Sequence, residues 1–136
     1  MSLVVGNSDL SVLNMASSFK DLRVWQGAIK LAVATYGVTE KFPKHEMYGL
    51  TSQIRRAAVS VASNIAEGKG HHSNREFCNF LFHARGSLLE LQTQAIIARE
   101  LKYLSPADAE NLLGQAGAIA KALNALINAV RLEGPG

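Results

Sequence analysis

The sequence predicts an all-α protein with the architecture of an antiparallel up-down-up-down four-helix bundle. Apolar residues recur at helical spacing in four segments, and capping residues, glycines or prolines mark the segment ends. No alternating stretch of convincing strand length occurs. Four amphipathic helices with short connections pack most simply as such a bundle. We expect a flexible N-terminal tail over residues 1–17 and one bundle domain over residues 18–133.

The first two predicted helices flank a loop that contains a proline. The first helix runs from about Asp21 to Lys41 and ends before Pro43, because the residue preceding a proline avoids the α region. The second begins near Thr51, a favourable N-cap, and stops at the glycine-rich residues 68–70. The expected inner face of the first helix consists of Leu22, Trp25, Ile29, Ala32, Val33 and Tyr36.

The third and fourth predicted helices begin with clear capping sequences. Ser73 and Glu76 form a capping box, in which the serine side chain accepts the Glu76 N–H and the glutamate reaches back. This helix continues to about Lys102. Ser105 followed by Pro106 is an N-cap with proline at the first helical position, and it opens a fourth helix that ends near residue 133.

The second helix has two faces, one apolar and one polar. Its apolar face consists of Ile54, Ala57, Ala58, Val61 and Ile65. The opposite face carries polar groups that we expect to bond to one another and to the third helix inside the bundle. We call these groups the polar stripe: Arg56, Ser60, Asn64 and Glu67, with Ser87 and Glu90 of the third helix.

The third helix has more apolar surface than a monomeric bundle requires. Besides a broad core face, Phe82, Leu89 and Ile96 recur every seven residues on nearly the opposite side. A surface helix of a monomer normally shows one apolar stripe, and a second one would expose a hydrophobic patch. Isolated apolar residues are also common on surfaces. We favour a subunit interface formed by these three residues, which we call the α3 seam.

The net charge of +3 is modest, but it is unevenly distributed. The segment from Lys41 to Arg75 holds six Lys or Arg residues and two acidic ones, a local charge of +4. Such a zone can hold nucleic acid through phosphate contacts, although a solvated basic surface is the plain alternative. The predicted phosphate contacts are Lys41, Lys44, Arg55, Lys69 and Arg75.

The sequence carries no motif for a cofactor, a metal ion or catalysis. A phosphate-binding loop is absent, and the adjacent His71 and His72 are poor chelators on a loop. Cys78 and His83, five residues apart on a helix, point in different directions. No apolar run reaches the length of a membrane span, and the N-terminal residues lack a signal-peptide pattern. We therefore expect a cytoplasmic, non-enzymatic protein with no cofactor and no membrane contact.

Several motifs, in order, resemble the family of four-helix-bundle proteins named after open reading frames in intervening sequences of bacterial 23S ribosomal RNA genes. The resemblance extends from about Phe19 to Val130. The motifs that carry it are FKDLRVWQ at 19–26, FP at 42–43, EMYGLT at 46–51, QIRRAAVS at 53–60, SNIAEG at 63–68, EF at 76–77, GSL at 86–88 and EL at 90–91.

The resemblance implies a ring-like homo-oligomer, with a pentamer favoured, and it makes RNA or DNA the leading partner class. Three functions follow as hypotheses. The first is a non-enzymatic oligomer that binds nucleic acid through a basic surface. The second is an oligomeric protein-interaction scaffold. The third, an enzyme, would need a pocket around Glu67, Glu90 and His83, with the carboxylates in acid/base roles. Aromatic residues are not interleaved with the basic ones in the sequence, which argues against a base-stacking platform.

Overall fold

The computed structural model describes residues 18–133, and it confirms the predicted four-helix bundle. Consecutive helices pack against each other and α1 closes against α4. Within the described residues there is no β-strand. The predicted tail over residues 1–17 lies outside this part of the chain. The helices are α1 (Arg23–Thr39), α2 (Leu50–Lys69), α3 (Asn74–Glu100) and α4 (Pro106–Leu132), with short 3-10 turns at Phe19–Asp21 and Lys44–Glu46.

One hydrophobic core runs along the bundle axis. All four helices contribute fully buried aliphatic side chains to it, and alanines fill the positions where helices approach closely. The largest of the fully buried side chains are Leu31, Ile54, Ile65, Leu81, Leu88, Leu91, Leu112 and Leu123. Burial of these side chains is the main favourable contribution to folding.

Two of the three sequence-predicted caps are present. The Ser73 hydroxyl accepts from the Glu76 N–H at 3.1 Å, and the Ser105 hydroxyl accepts from the Asp108 N–H at 3.1 Å. The Glu76 carboxylate departs from the usual capping box. It accepts from the Ser73 hydroxyl at 3.2 Å and lies 2.8 Å from the His71 ring, so that it ties the α2–α3 loop to the first turn of α3.

The start of α2 is a correction, because Thr51 is not its N-cap. The cap residue is Gly49, and the Leu50 N–H donates instead to the Glu46 carboxylate at 3.0 Å. Tyr103 donates to the same carboxylate at 3.0 Å. The hydrogen bond from the Leu50 backbone, followed by that from Tyr103, lowers the pKa of Glu46. Glu46, four positions before Leu50 and held by Tyr103 of the α3–α4 loop, performs the capping that a local pattern assigned to Thr51.

The buried face of α1 also differs from the expected one. Its buried residues are Val24, Ala28, Leu31, Thr35 and Thr39, whereas Val33 is 68% exposed and Ile29 and Tyr36 also face solvent. The reason is that two threonines occupy core positions. Each hydroxyl donates to the carbonyl one turn earlier at 2.8 Å, Thr35 to Leu31 and Thr39 to Thr35. A threonine bonded in this way can be buried like an aliphatic residue.

Gly68 belongs to the helix contact between α2 and α3 rather than to the helix end. It is buried within α2, and a Cβ at this position would lie 2.7 Å from the Phe80 Cβ and 3.2 Å from the Phe77 carbonyl oxygen. The helix ends one residue later, where Gly70 is the C-cap. The absent side chain therefore sets how closely α2 can approach the first turns of α3.

We predict that Gly68→Ala destabilises the protein by about 1–3 kcal/mol, because the new methyl group must displace the α3 backbone. Gly117→Ala is the matched control. Gly117 lies in α4, where an added methyl group would have nothing within 4 Å, and alanine there should stabilise by about 0.5–1 kcal/mol. Chemical denaturation gives both values. Equal shifts in the two variants would show that the approach of α2 to α3 is not constrained at Gly68.

Candidate nucleic-acid interface

The five predicted phosphate contacts separate into two groups at opposite ends of α2. Lys41 and Lys44 lie in the α1–α2 loop, and Arg55 lies in the second turn of α2. Lys69 ends the same helix and Arg75 follows the next loop. A helix of 20 residues is about 30 Å long. The structure therefore brings three of the cations together and places the other two at the far end of the bundle.

The five cations differ in how much of their charge is available to a ligand. Lys41 lies 3.9 Å from the Asp108 carboxylate, and because the lysine side chain is 77% exposed and the distance is long, this ion pair contributes little. Burial lowers the pKa of Lys69. Arg55 is held within the chain, since its Nε donates to the Thr39 hydroxyl at 2.8 Å. Lys44 and Arg75 have no carboxylate partner among residues 18–133, and they are the most available of the five.

A groove of 580 Å³ lies between α1 and α2, beside the first group of cations. We call it the α1–α2 groove. It is lined by Tyr36 of α1, by Met47 and Tyr48 of the loop, and by the outer face of α2. The lining residues from α2 are Thr51, Ser52, Arg55, Arg56, Val59 and Ser60. The groove thus combines two tyrosines and two arginines, and its lining contains no acidic residue.

The two tyrosine rings of this groove differ in exposure, because one is covered by an arginine and the other is open to solvent. The Arg55 guanidinium carbon lies 4.6 Å from the centre of the Tyr36 ring, a cation–π contact that fixes both side chains. Tyr48 is 97% exposed. The Thr51 hydroxyl is buried in the lining without a hydrogen-bond partner. The Arg56 guanidinium donates to the Ser52 hydroxyl at 3.3 Å, which leaves most of its donors open to solvent.

Sequence reasoning missed Tyr36, Tyr48 and Arg56 as functional candidates. Tyr36 and Arg55 are 19 residues apart and meet only because α1 and α2 are antiparallel neighbours. A signal for Tyr48 was present, because it precedes Ser52, Arg56 and Val59 at helical spacing. Tyr36, which precedes the basic segment in sequence, therefore lies next to it in space, whereas Tyr48 is part of that segment.

The centre of the polar stripe forms as predicted. Asn64 donates to the Ser60 carbonyl at 2.8 Å and to the Ser60 hydroxyl at 3.0 Å. The Ser87 hydroxyl of α3 donates to the Ser60 hydroxyl at 2.9 Å. These three residues make a small polar link between α2 and α3, in which Ser60 is the shared acceptor.

Arg56 and the two glutamates do not join this link, which corrects the rest of the prediction. Glu67 is 11 residues from Arg56, about 16 Å along the helix, so one cannot neutralise the other. Glu90 and Arg56 line a second groove, of 260 Å³, between α2 and α3, yet they form no ion pair. Within residues 18–133, neither glutamate carboxylate has a hydrogen-bond partner. The geometry therefore gives no paired carboxylates for acid/base chemistry.

The α3 seam is partly exposed in the single chain. Leu89 is 59% exposed and Ile96 is 41% exposed. Phe82 is different, because it packs against the core and has two guanidinium groups near its ring, Arg85 at 4.8 Å and Arg131 at 5.0 Å from the ring centre. Two further aliphatic residues at the C-terminal end of α3, Ile97 and Leu101, are also exposed. The available apolar surface therefore lies toward the C-terminal half of α3.

The described part of the chain offers little to other classes of site. No helix between residues 18 and 133 is both long enough and apolar enough to cross a bilayer. The same residues contain no group of three or more His, Cys, Asp or Glu side chains arranged to hold a metal ion. Cys78 is a free thiol, and burial raises its pKa.

The fold and surface define a small all-α bundle with a basic, aromatic-lined groove. The family model described as 23S rRNA-intervening sequence protein matches residues 20–125, and the chain belongs to this family. The comparison with curated proteins gave no match.

A similar solved structure is the 1.70 Å crystal structure of a protein of unknown function from the S23 ribosomal protein family of Bacteroides thetaiotaomicron VPI-5482. It is 21% identical, the alignment covers 76% of this chain and 97% of that one, and the TM-score is 0.70. This likeness supports the bundle fold.

We predict that Ser60→Ala destabilises the protein by about 1–3 kcal/mol, because it leaves the buried Ser87 hydroxyl and the Asn64 amide without their shared acceptor. Glu67→Ala should change stability by no more than about 0.5 kcal/mol, since that carboxylate is exposed. Denaturant unfolding of the two variants measures both. A larger loss for Glu67→Ala than for Ser60→Ala would contradict the assigned network.

Proposed function

We propose that this protein is a non-enzymatic homo-oligomer that binds nucleic acid through the basic surface formed by α2 and the loops at its two ends. The observation that carries this proposal is the arrangement of cations along that one helix. Lys44, Arg56 and Arg75 lie on it or beside it without a carboxylate partner among residues 18–133. Unpaired cations on one side of a protein give a local positive potential that attracts phosphates.

The family description supports the choice of nucleic acids to test. It refers to an intervening sequence of 23S rRNA, so RNA belongs in the test beside DNA. Within residues 18–133, the surface around Lys44, Arg56 and Arg75 shows no arrangement of side chains that would distinguish one base from another. We therefore propose weak, largely sequence-independent binding, dominated by the phosphate backbone.

Assembly would strengthen such binding. The exposed aliphatic side chains Leu89, Ile96, Ile97 and Leu101 are the surface that we assign to contacts between subunits. A ring repeats the basic surface once per subunit, and simultaneous contacts can raise apparent affinity by about 10²–10⁴-fold. A pentamer, suggested by the family resemblance, would repeat it five times. An oligomeric scaffold for protein partners is the alternative, and the same exposed seam favours it.

We predict salt-dependent binding of RNA and DNA, measured by fluorescence anisotropy at about 50 and 200 mM salt. The combined change Lys44→Gln and Arg75→Gln should lower the slope of log affinity against log salt by about 0.7 per lost contact on a single strand. Lys121→Gln, on the exposed face of α4, is the control and should leave the slope unchanged. An absence of binding at low salt would reject the nucleic-acid proposal in favour of the scaffold.

We predict that Leu89→Glu reduces the particle mass in light scattering, because it places a charge in a surface that becomes apolar contact on assembly. Leu132→Glu introduces the same charge at an 87% exposed position at the end of α4, and the mass should be unaffected. If the wild-type protein is a monomer, or if Leu89→Glu retains the wild-type mass, the assignment of the interface is wrong.

A further inference from the structure

We propose that the α1–α2 groove is a binding site for an unpaired nucleotide of a single-stranded nucleic acid. In this site one base stacks on Tyr48, and the adjoining phosphate is held by Arg56. The inference rests on the proposed function, and it adds a specific binding site and a preference for single strands over duplexes. The groove has a volume of 580 Å³, within the range of pockets that hold small molecules about the size of a nucleotide.

The base is assigned to Tyr48 because that ring is the one left available. The Arg55 guanidinium already covers the face of the Tyr36 ring at 4.6 Å. Arg55 is itself held in place by its hydrogen bond to the Thr39 hydroxyl. Tyr48 is 97% exposed, and a large aromatic surface in water is stabilised when a flat partner covers it. Nucleobases provide such a partner without regard to sequence, since every base has a π-face.

The phosphate is assigned to Arg56 because the groove lining is positively charged and because this guanidinium has N–H donors that the described residues leave unused. The groove lining contains two guanidinium groups and no carboxylate, so its charged side chains are all positive. Arg55 is committed to Thr39 and Tyr36, whereas Arg56 makes one long bond, to the Ser52 hydroxyl at 3.3 Å. A planar guanidinium with open donors suits a phosphate, which it can bind through two parallel hydrogen bonds.

Thr51 supplies an independent sign that the groove is incomplete. The residue is 4% exposed, and its side-chain hydroxyl has no hydrogen-bond partner among the described residues. Buried polar groups in folded proteins are almost always bonded, so an orphaned hydroxyl in the lining of a groove calls for an external partner. A polar edge of a base or a sugar hydroxyl in the groove would provide one once the Thr51 side chain rotates toward it.

A single strand is favoured over a duplex because stacking on Tyr48 needs an exposed base face. In a duplex the faces are covered by neighbouring base pairs, and only the backbone and the groove edges are accessible. The site therefore adds affinity for single strands to the phosphate contacts that both forms share. This difference separates the groove from the general basic surface.

The test compares labelled single-stranded and duplex oligonucleotides by fluorescence anisotropy at low salt. Tyr48→Ala should weaken single-strand binding about tenfold or more, the loss expected for one stacked base, and should leave duplex binding unchanged. Tyr48→Phe keeps the ring and should retain wild-type affinity. Leu132→Ala removes a similarly exposed apolar side chain at the end of α4, outside the groove lining, and serves as the control.

The salt dependence distinguishes the two assigned residues. Tyr48→Ala should keep the wild-type salt slope, because no phosphate contact is lost. Arg56→Gln should lower it by about 0.7 on a single strand. Both side chains are exposed, so both variants should keep the wild-type thermal melt.

Three results would overturn the inference, and they differ in what they leave standing. If the wild-type protein binds with a salt slope and Tyr48→Ala binds single strands equally well, the groove is rejected but the basic-surface proposal remains. If the wild-type protein binds neither form, both proposals fall. If Tyr48→Ala reduces the particle mass in light scattering, the groove is an interface between copies of the chain rather than a nucleotide site.

Discussion

The close approach of α2 and α3 is the constraint on which the rest of the structure depends. These two helices share the most extensive contact in the bundle. Small residues allow it, with Gly68 under Phe80 at one end and the buried alanines at positions 57 and 84 along its length. At this separation, the hydroxyls of Ser60 and Ser87 meet at 2.9 Å. A larger residue at any of these positions would separate the helices and break the polar link.

The same packing determines which face of α2 remains outside. With its aliphatic stripe in the core and its serine side against α3, the helix turns Arg55 and Val59 toward α1 and solvent, and Arg56 lines both the α1–α2 groove and the groove shared with α3. The α1–α2 loop then carries Tyr48 over the first turns of α2, where Glu46 caps the helix. The groove is thus a consequence of helix packing and loop length, and no single motif in the sequence encodes it.

The fold could be predicted from the sequence because its determinants are local or periodic. The caps at Ser73 and Ser105 each depend on residues within three positions, and both are present. The start of α2 was assigned wrongly because its cap combines Glu46 with Tyr103, 57 residues away. The α1 face was wrong because apolar counting ignores threonines such as Thr35, whose hydroxyl bonds to its own helix.

The candidate site was predicted less well, because it depends on which helices are neighbours. The excess of positive charge was visible in the sequence, but helix length divides those cations between two ends of the bundle. The tyrosines that make the groove different from a plain basic surface come from α1 and from the loop. The contact of Tyr36 with Arg55 required the antiparallel pairing of α1 and α2, whereas Tyr48 lies two residues before α2 begins.

The seam residues Leu89 and Ile96 and the α1–α2 groove lie on opposite sides of the α2–α3 contact. Leu89 and Ile96 are on the flank of α3 that faces α4, where Arg85 bonds to Asn124 at 3.1 Å. Ser87 is on the other flank, toward α2, and the α1–α2 groove lies beyond it. Assembly through the seam would therefore leave the groove open in every subunit. Because the surfaces share no residue, variants at Leu89 and at Tyr48 can separate the effect of assembly from that of binding.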